Sequence, residues 1–144
     1  MEVGLLGWLG VAGALGWAAI GSSIGMVMNG SAVIGAWKKC FVQKKPAPFI
    51  LVVFAGVQLS NVIYGFILMG ALGDATGLSE GALFALGTGA GLAIGAASYA
   101  QCYCAAAAAD AYAETGQGFG NFMMVIGIAE TLALFAMVFT LLLV

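Results

Sequence analysis

Glu130 is the one acidic residue set inside the long apolar run FMMVIGIAETLALFAMVFTLLLV, and no basic residue stands in any apolar stretch of the chain to pair with it. A carboxylate at the centre of a membrane helix costs about 2.5–3.5 kcal/mol on insertion scales, because burial disfavours its charged form. The group escapes that cost by holding a proton or a cation. Either escape is a binding event, so Glu130 is expected to carry an ion rather than to serve structure.

Side chains that share its site follow from depth. Gln101 precedes the end of its apolar segment by about as many residues as Glu130 follows the start of its own, so at about 1.5 Å per residue the two occupy one level. Ser60 and Asn61 reach nearly the same level, and Val57, Ser60, Asn61 and Tyr64 follow the i, i+3, i+4, i+7 spacing of one helix face. One depth thus offers a carboxylate, two amides, a hydroxyl and a phenol, an all-oxygen set suited to a hard cation such as Na⁺. The plainer reading makes Gln101, Ser60 and Asn61 interhelical hydrogen-bonding glue, worth about 0.6 kcal/mol each. A carboxylate at the same depth favours the site.

The remaining reactive residues point to less. There is no His, and Cys40, Cys102 and Cys104 form no metal-ligand pattern, so they read as small apolar residues. Asp110 and Glu114 fall at the C-terminal end of a helix, where the macrodipole disfavours anions. Pairing with nearby lysines would offset that cost, and a solvated or partner-binding face is expected there instead of an ion path.

These residues need elements that hold them at one depth. With 63% hydrophobic and 7% charged residues and a mean hydropathy of +1.11, the chain is an all-α membrane protein. A span needs about 20 apolar residues, so four spans nearly fill 144 residues and leave no room for a soluble catalytic domain. The apolar segments run roughly over 4–35, 47–72, 81–112 and 119–144, separated by WKKCFVQKKPAP, GDATGLSE and DAYAETGQGFGN. Pro46 and Pro48 suit the entry to the second helix. All four cations, Lys38, Lys39, Lys44 and Lys45, lie in the first break, which the positive-inside rule places in the cytoplasm. Both termini and the loop with Asp74 and Glu80 then face outside. Glu2 and the lack of a basic n-region argue against a cleaved signal peptide.

The spans are of two kinds. The first carries Gly4, Gly7, Gly10, Gly13, Gly16, Gly21 and Gly25, and the third Gly87, Gly89, Gly91, Gly95 and the run Ala105 to Ala109. Small residues let helix backbones approach closely in lipid. The second and fourth carry Phe, Leu, Ile and Met. Two layers are expected, with spans 1 and 3 inside and spans 2 and 4 outside.

The halves also repeat. Sliding the second span over the fourth brings Gly56 to Gly127 and Tyr64 to Phe135, and in that register Glu130 faces Leu59 rather than its neighbour Gln58; IGSS at 20–23 lies over IGAA at 94–97. The expected organisation is a tandem duplication, with a first helical hairpin over 1–72 that lacks the ion carboxylate and a second over 73–144 that carries Glu130.

The duplicated hairpin, the Gly-rich odd spans, ASYAQCYCAAAAADA in the third span, IAETLALFAMVF in the fourth and LSNVIYGF in the second together resemble the ring-forming proteolipid, called c or K, of V-type and A-type rotary ATPases, closest to bacterial members. The resemblance covers essentially the whole chain. It implies a homo-oligomeric ring in a bacterial cell membrane, surrounded by lipid, turning against a stator subunit with an essential arginine and meeting central-stalk subunits at its cytoplasmic loops, with no nucleic-acid partner. The chain would be a non-catalytic subunit, with ATP chemistry in its partners and Na⁺ or H⁺ as the transported ion. By the same resemblance Glu130 matches the ion-binding carboxylate and Gln101 the third-helix glutamine. Ser60, Asn61 and Val57 match a hydroxyl, an amide and a main-chain carbonyl ligand, and Tyr64 the tyrosine that holds the carboxylate closed. Two positions depart from the pattern: Asn61 stands where sodium-binding relatives commonly carry Gln, and Ala129 where a proline often precedes the carboxylate. The rival reading is a small proton-coupled multidrug exporter with a single membrane carboxylate; there the acid lies in the first span beside an aromatic cage, whereas here it lies in the fourth.

Overall fold

The computed structural model describes residues 4–144, and the expectation drawn from Glu2 lies outside them. Among the described residues every regular element is helical. α1 spans Leu5–Val42, a 3₁₀ turn at Phe49–Leu51 leads into α2 at Val52–Gly56 and α3 at Leu59–Asp74, α4 spans Glu80–Thr115 and α5 spans Phe119–Leu141. Four helical stretches are long and apolar enough to cross a membrane, with Phe49–Asp74 counted as one.

Two helices outrun the apolar segments that announced them. α1 continues through Trp37, Lys38, Lys39 and Cys40, and α4 through Asp110 and Glu114. Outside the hydrocarbon a helix persists until something stops it, and a 38-residue α1 rises about 57 Å against about 30 Å of hydrocarbon. α1 stops just before Lys44 adopts a left-handed backbone (φ 55°), with Pro46 beyond it unable to continue the helix. α4 starts on Ser79, whose hydroxyl accepts from the Ala82 N–H at 3.2 Å. It ends on Gly116, left-handed, whose N–H reaches the Tyr112 carbonyl at 2.8 Å. Pro48 stands at the cap of the 3₁₀ turn, and its carbonyl accepts from the Trp37 indole N–H at 2.9 Å.

The slim helices form the tightest contact. α1 packs most extensively on α4, and a Cβ added at Gly87 would run into the carbonyl of Gly10, while one at Gly21 would run into the backbone of Gly95. Backbone meets backbone there because neither residue has a side chain to hold it off. Gly16 and Gly89 instead meet nothing within 4 Å, so part of the glycine content faces away from the protein's own interior. α3 packs on α1, and α5 on α4 with a smaller contact to α3, which leaves bulky side chains such as Phe66, Leu132, Phe135 and Phe139 exposed.

Burial divides the interior by depth. One apolar cluster centres on Val11, Ala14, Leu68, Leu72, Ile94 and Met137, and the other, towards the Lys-rich loop, on Val33, Leu51, Phe54, Ala105 and Ile126. The buried polar side chains Ser22, Asn29, Gln58, Asn61, Ser98 and Gln101 fall between them along the first three spans, at the depth Glu130 takes on the fourth. Glu130 and these polar side chains occupy a belt between two apolar cores.

Candidate functional site

Glu130 is held at that belt by two donors from two other spans. The Tyr64 hydroxyl donates to Oε1 at 3.0 Å, and Nε2 of Gln101 donates to Oε2 at 3.3 Å. Gln101 is fully buried, as is Asn61, whose Nδ2 donates to Gln101 Oε1 at 2.7 Å. Donors therefore run in series from Asn61 to Gln101 to the carboxylate. Hydrogen bonds to a charged acceptor are about twice as strong as neutral ones, so Glu130 is fixed from two sides.

The second span breaks its helix beside this site. Between α2 and α3 the Asn61 N–H bonds the carbonyl of Gln58 at 3.2 Å, an i to i+3 contact, instead of closing an α-turn onto Val57. The Val57 carbonyl then takes the Ser60 hydroxyl at 3.4 Å. A carbonyl released in this way offers a lone pair to a ligand. Val57 lines a pocket of about 320 Å³ together with Val53, Gly56, Gln101, Ile126, Gly127 and Glu130. Since α2 and α5 both start at the Lys-loop end, that pocket runs from the carboxylate towards that end.

Of the six residues singled out from sequence, the structure joins Glu130, Tyr64, Gln101 and Asn61 in one hydrogen-bonded chain. Val57 borders the same pocket. Ser60 bonds the Val57 carbonyl and makes no hydrogen bond to the carboxylate. Asn61 Oδ1 is one of two buried side-chain oxygens without a partner among the described residues. Those residues contain no cluster of three or more His, Cys, Asp or Glu placed to hold a metal, so a cation here would rest on one carboxylate and neutral oxygens.

The other unpartnered oxygen, Oδ1 of Asn29, belongs to a residue that sequence reasoning missed. Asn29 Nδ2 donates to the Phe54 carbonyl at 2.7 Å and to Gln58 Oε1 at 3.1 Å. Gln58 Nε2 reaches the Ala55 carbonyl at 3.0 Å. The pairs Asn29–Gln58 and Gln101–Glu130 are each separated by 29 residues. Leu59 is 65% exposed and Gln58 only 4%. A lone amide among the apolar residues of the first span was the available signal. Ser22 and Ser98 share a further buried hydrogen bond of 2.8 Å between α1 and α4.

Asp110 and Glu114 lie away from the site. Both pair with Lys39, Asp110 at 3.7 Å and Glu114 more closely, so the last turn of α1 neutralises two anions at the C-terminal end of α4. The expected pairing with the Lys-rich stretch is present, through one lysine.

No curated protein matches the chain at a significant level. The half of the molecule that holds Gln101 and Glu130 is where a likeness emerges: residues 84–143, covering most of α4 and all of α5, match the ATP synthase c subunit family.

Proposed function

We propose that this chain is the ion-carrying ring component of a V-type or A-type rotary ATPase, with Glu130 loading Na⁺ or H⁺ as the ring turns. The family matched over residues 84–143 is a non-catalytic, ion-translocating rotor component. The observation that carries the proposal is the clamp on Glu130, a mid-span carboxylate taking Tyr64 on one oxygen and Gln101 on the other. Two such hairpins in one chain, the first without a mid-span carboxylate, support the V/A type.

In this reading Glu130 travels neutralised through lipid, because a bare charge there is costly. It opens only where an arginine of a stator subunit approaches. Tyr64 and Gln101 hold the carboxylate inward between those encounters. A bound Na⁺ would draw on Glu130, the Val57 carbonyl, the Ser60 hydroxyl and the amide oxygens of Gln101 and Asn61. The released Val57 carbonyl and the unpartnered Asn61 Oδ1 favour a site able to take a cation as well as a proton. Each charge crossing the membrane contributes about 2.3 kcal/mol per 100 mV, so several are summed for each ATP handled by partner subunits. Copies of this chain would meet through their exposed small-residue faces, where Gly16 and Gly89 have no neighbour. The central stalk would meet the Lys38–Lys45 segment on the cytoplasmic side.

Carbodiimide modification tests the proposal. Glu130 is expected to be the residue modified. Protection by Na⁺ at fixed pH identifies a sodium site; modification indifferent to Na⁺ that fades as pH rises identifies a proton site. No modification of Glu130 under either condition defeats the carrier reading.

A further inference from the structure

We infer that Asn61 and Gln101 form a paired amide switch that reads the charge on Glu130, with Asn61 the positioning residue that permits Gln101 to turn; the inference rests on Glu130 being the ion carrier. Gln101 presents Nε2 to Glu130 and Oε1 to Asn61 Nδ2. A donor facing the carboxylate is the arrangement that stabilises it bare. A loaded Glu130 favours the opposite. A protonated carboxyl has a hydrogen to donate, and a carboxylate holding Na⁺ has a cation beside it, and either is met by an oxygen from Gln101 in place of an N–H.

Turning the Gln101 amide by half a rotation supplies that oxygen and points Nε2 at Asn61. The turn is blocked unless Asn61 exchanges its donor for an acceptor. Asn61 has such an acceptor in reserve: Oδ1 is fully buried and has no partner. Rotating both amides turns the series from Asn61→Gln101→Glu130 into Glu130 (or its cation)→Gln101 Oε1, with Gln101 Nε2→Asn61 Oδ1. The unpartnered atom becomes Asn61 Nδ2 in place of Oδ1. Each orientation thus leaves one Asn61 atom unmatched, so the surroundings favour neither strongly, and the state of Glu130 decides. A leucine at position 61 would supply neither donor nor acceptor.

Isotope-edited infrared difference spectroscopy on the purified, detergent-solubilised protein tests this. Glutamine is labelled with ¹³C at its side-chain carbonyl, and Na⁺ or acid is used to load the site. The Glu130 carboxylate band reports loading, and Gln101→Met identifies the Gln101 signal among Gln43, Gln58, Gln101 and Gln117. The expected result is a shift of the Gln101 carbonyl band on loading, lost in Asn61→Leu and restored in Asn61→Gln. A carboxylate band that responds while the Gln101 band stays still in the unaltered protein overturns the switch and leaves the carrier reading standing. A Glu130 band that responds to neither Na⁺ nor acid overturns both. Persistence of the Gln101 shift in Asn61→Leu removes Asn61 from the switch.

Discussion

The hydroxyl of Tyr64 donates to Oε1 of Glu130 at 3.0 Å, joining residues 66 positions apart in the chain. It ties the fourth span to the second at the polar belt and holds one carboxylate oxygen while Gln101 holds the other.

Removing that hydroxyl isolates its contribution. A hydrogen bond to a charged group is worth about 1.5–3 kcal/mol, so Tyr64→Phe is expected to raise the rate of carbodiimide modification of Glu130 roughly tenfold or more at fixed pH. An unchanged rate, measured by mass spectrometry of the modified peptide, would mean that the phenol does not hold the carboxylate closed.

Gln58 and Leu59 make opposite predictions for a second acid. Gln58→Glu places a carboxyl beside Asn29 Nδ2, buried in the polar belt, and is expected to gain a second carbodiimide adduct per chain that the loading ion protects. Leu59→Glu puts the acid on an exposed surface, where modification should show no such protection. Peptide mapping of both variants, with and without the ion, distinguishes them.

The glycine contacts between α1 and α4 divide into those that tolerate a side chain and those that do not. Gly87→Val is expected to destabilise the protein by about 2 kcal/mol or more, the scale of overpacking in a filled interior, since its Cβ would meet the Gly10 carbonyl. Gly16→Ala and Gly89→Ala, with nothing within 4 Å, should leave the unfolding temperature of the solubilised monomer unchanged. Thermal unfolding of the three variants side by side reads the difference.

At the Lys-loop end, Lys39 pairs with both Asp110 and Glu114. Exposed ion pairs are weak and screened by salt. Lys39→Met is therefore expected to increase hydrogen exchange at the last turns of α1 and α4 modestly and to make it insensitive to added salt. Exchange should rise with salt in the unaltered protein.

The sequence revealed the site more fully than the limits of its helices. Glu130, Gln101, Asn61 and Tyr64 were legible because an apolar background makes each polar residue conspicuous, and because helical rise converts position into depth. Hydropathy could not show where α1 and α4 end, since both continue into water as ordinary polar helix and stop at backbone features, Lys44 and Gly116. The break at Val57 was hidden because no Pro or charged residue marks it.

The pocket beside Glu130 is bordered by Val53, Gly56, Ile126 and Gly127 on the side of the Lys-rich loop, while beyond Glu130 the interior closes over Leu68, Leu72, Ala133 and Met137. Among the described residues that apolar interior offers no polar path onward from Glu130, so the isolated chain in a bilayer is expected to pass no current.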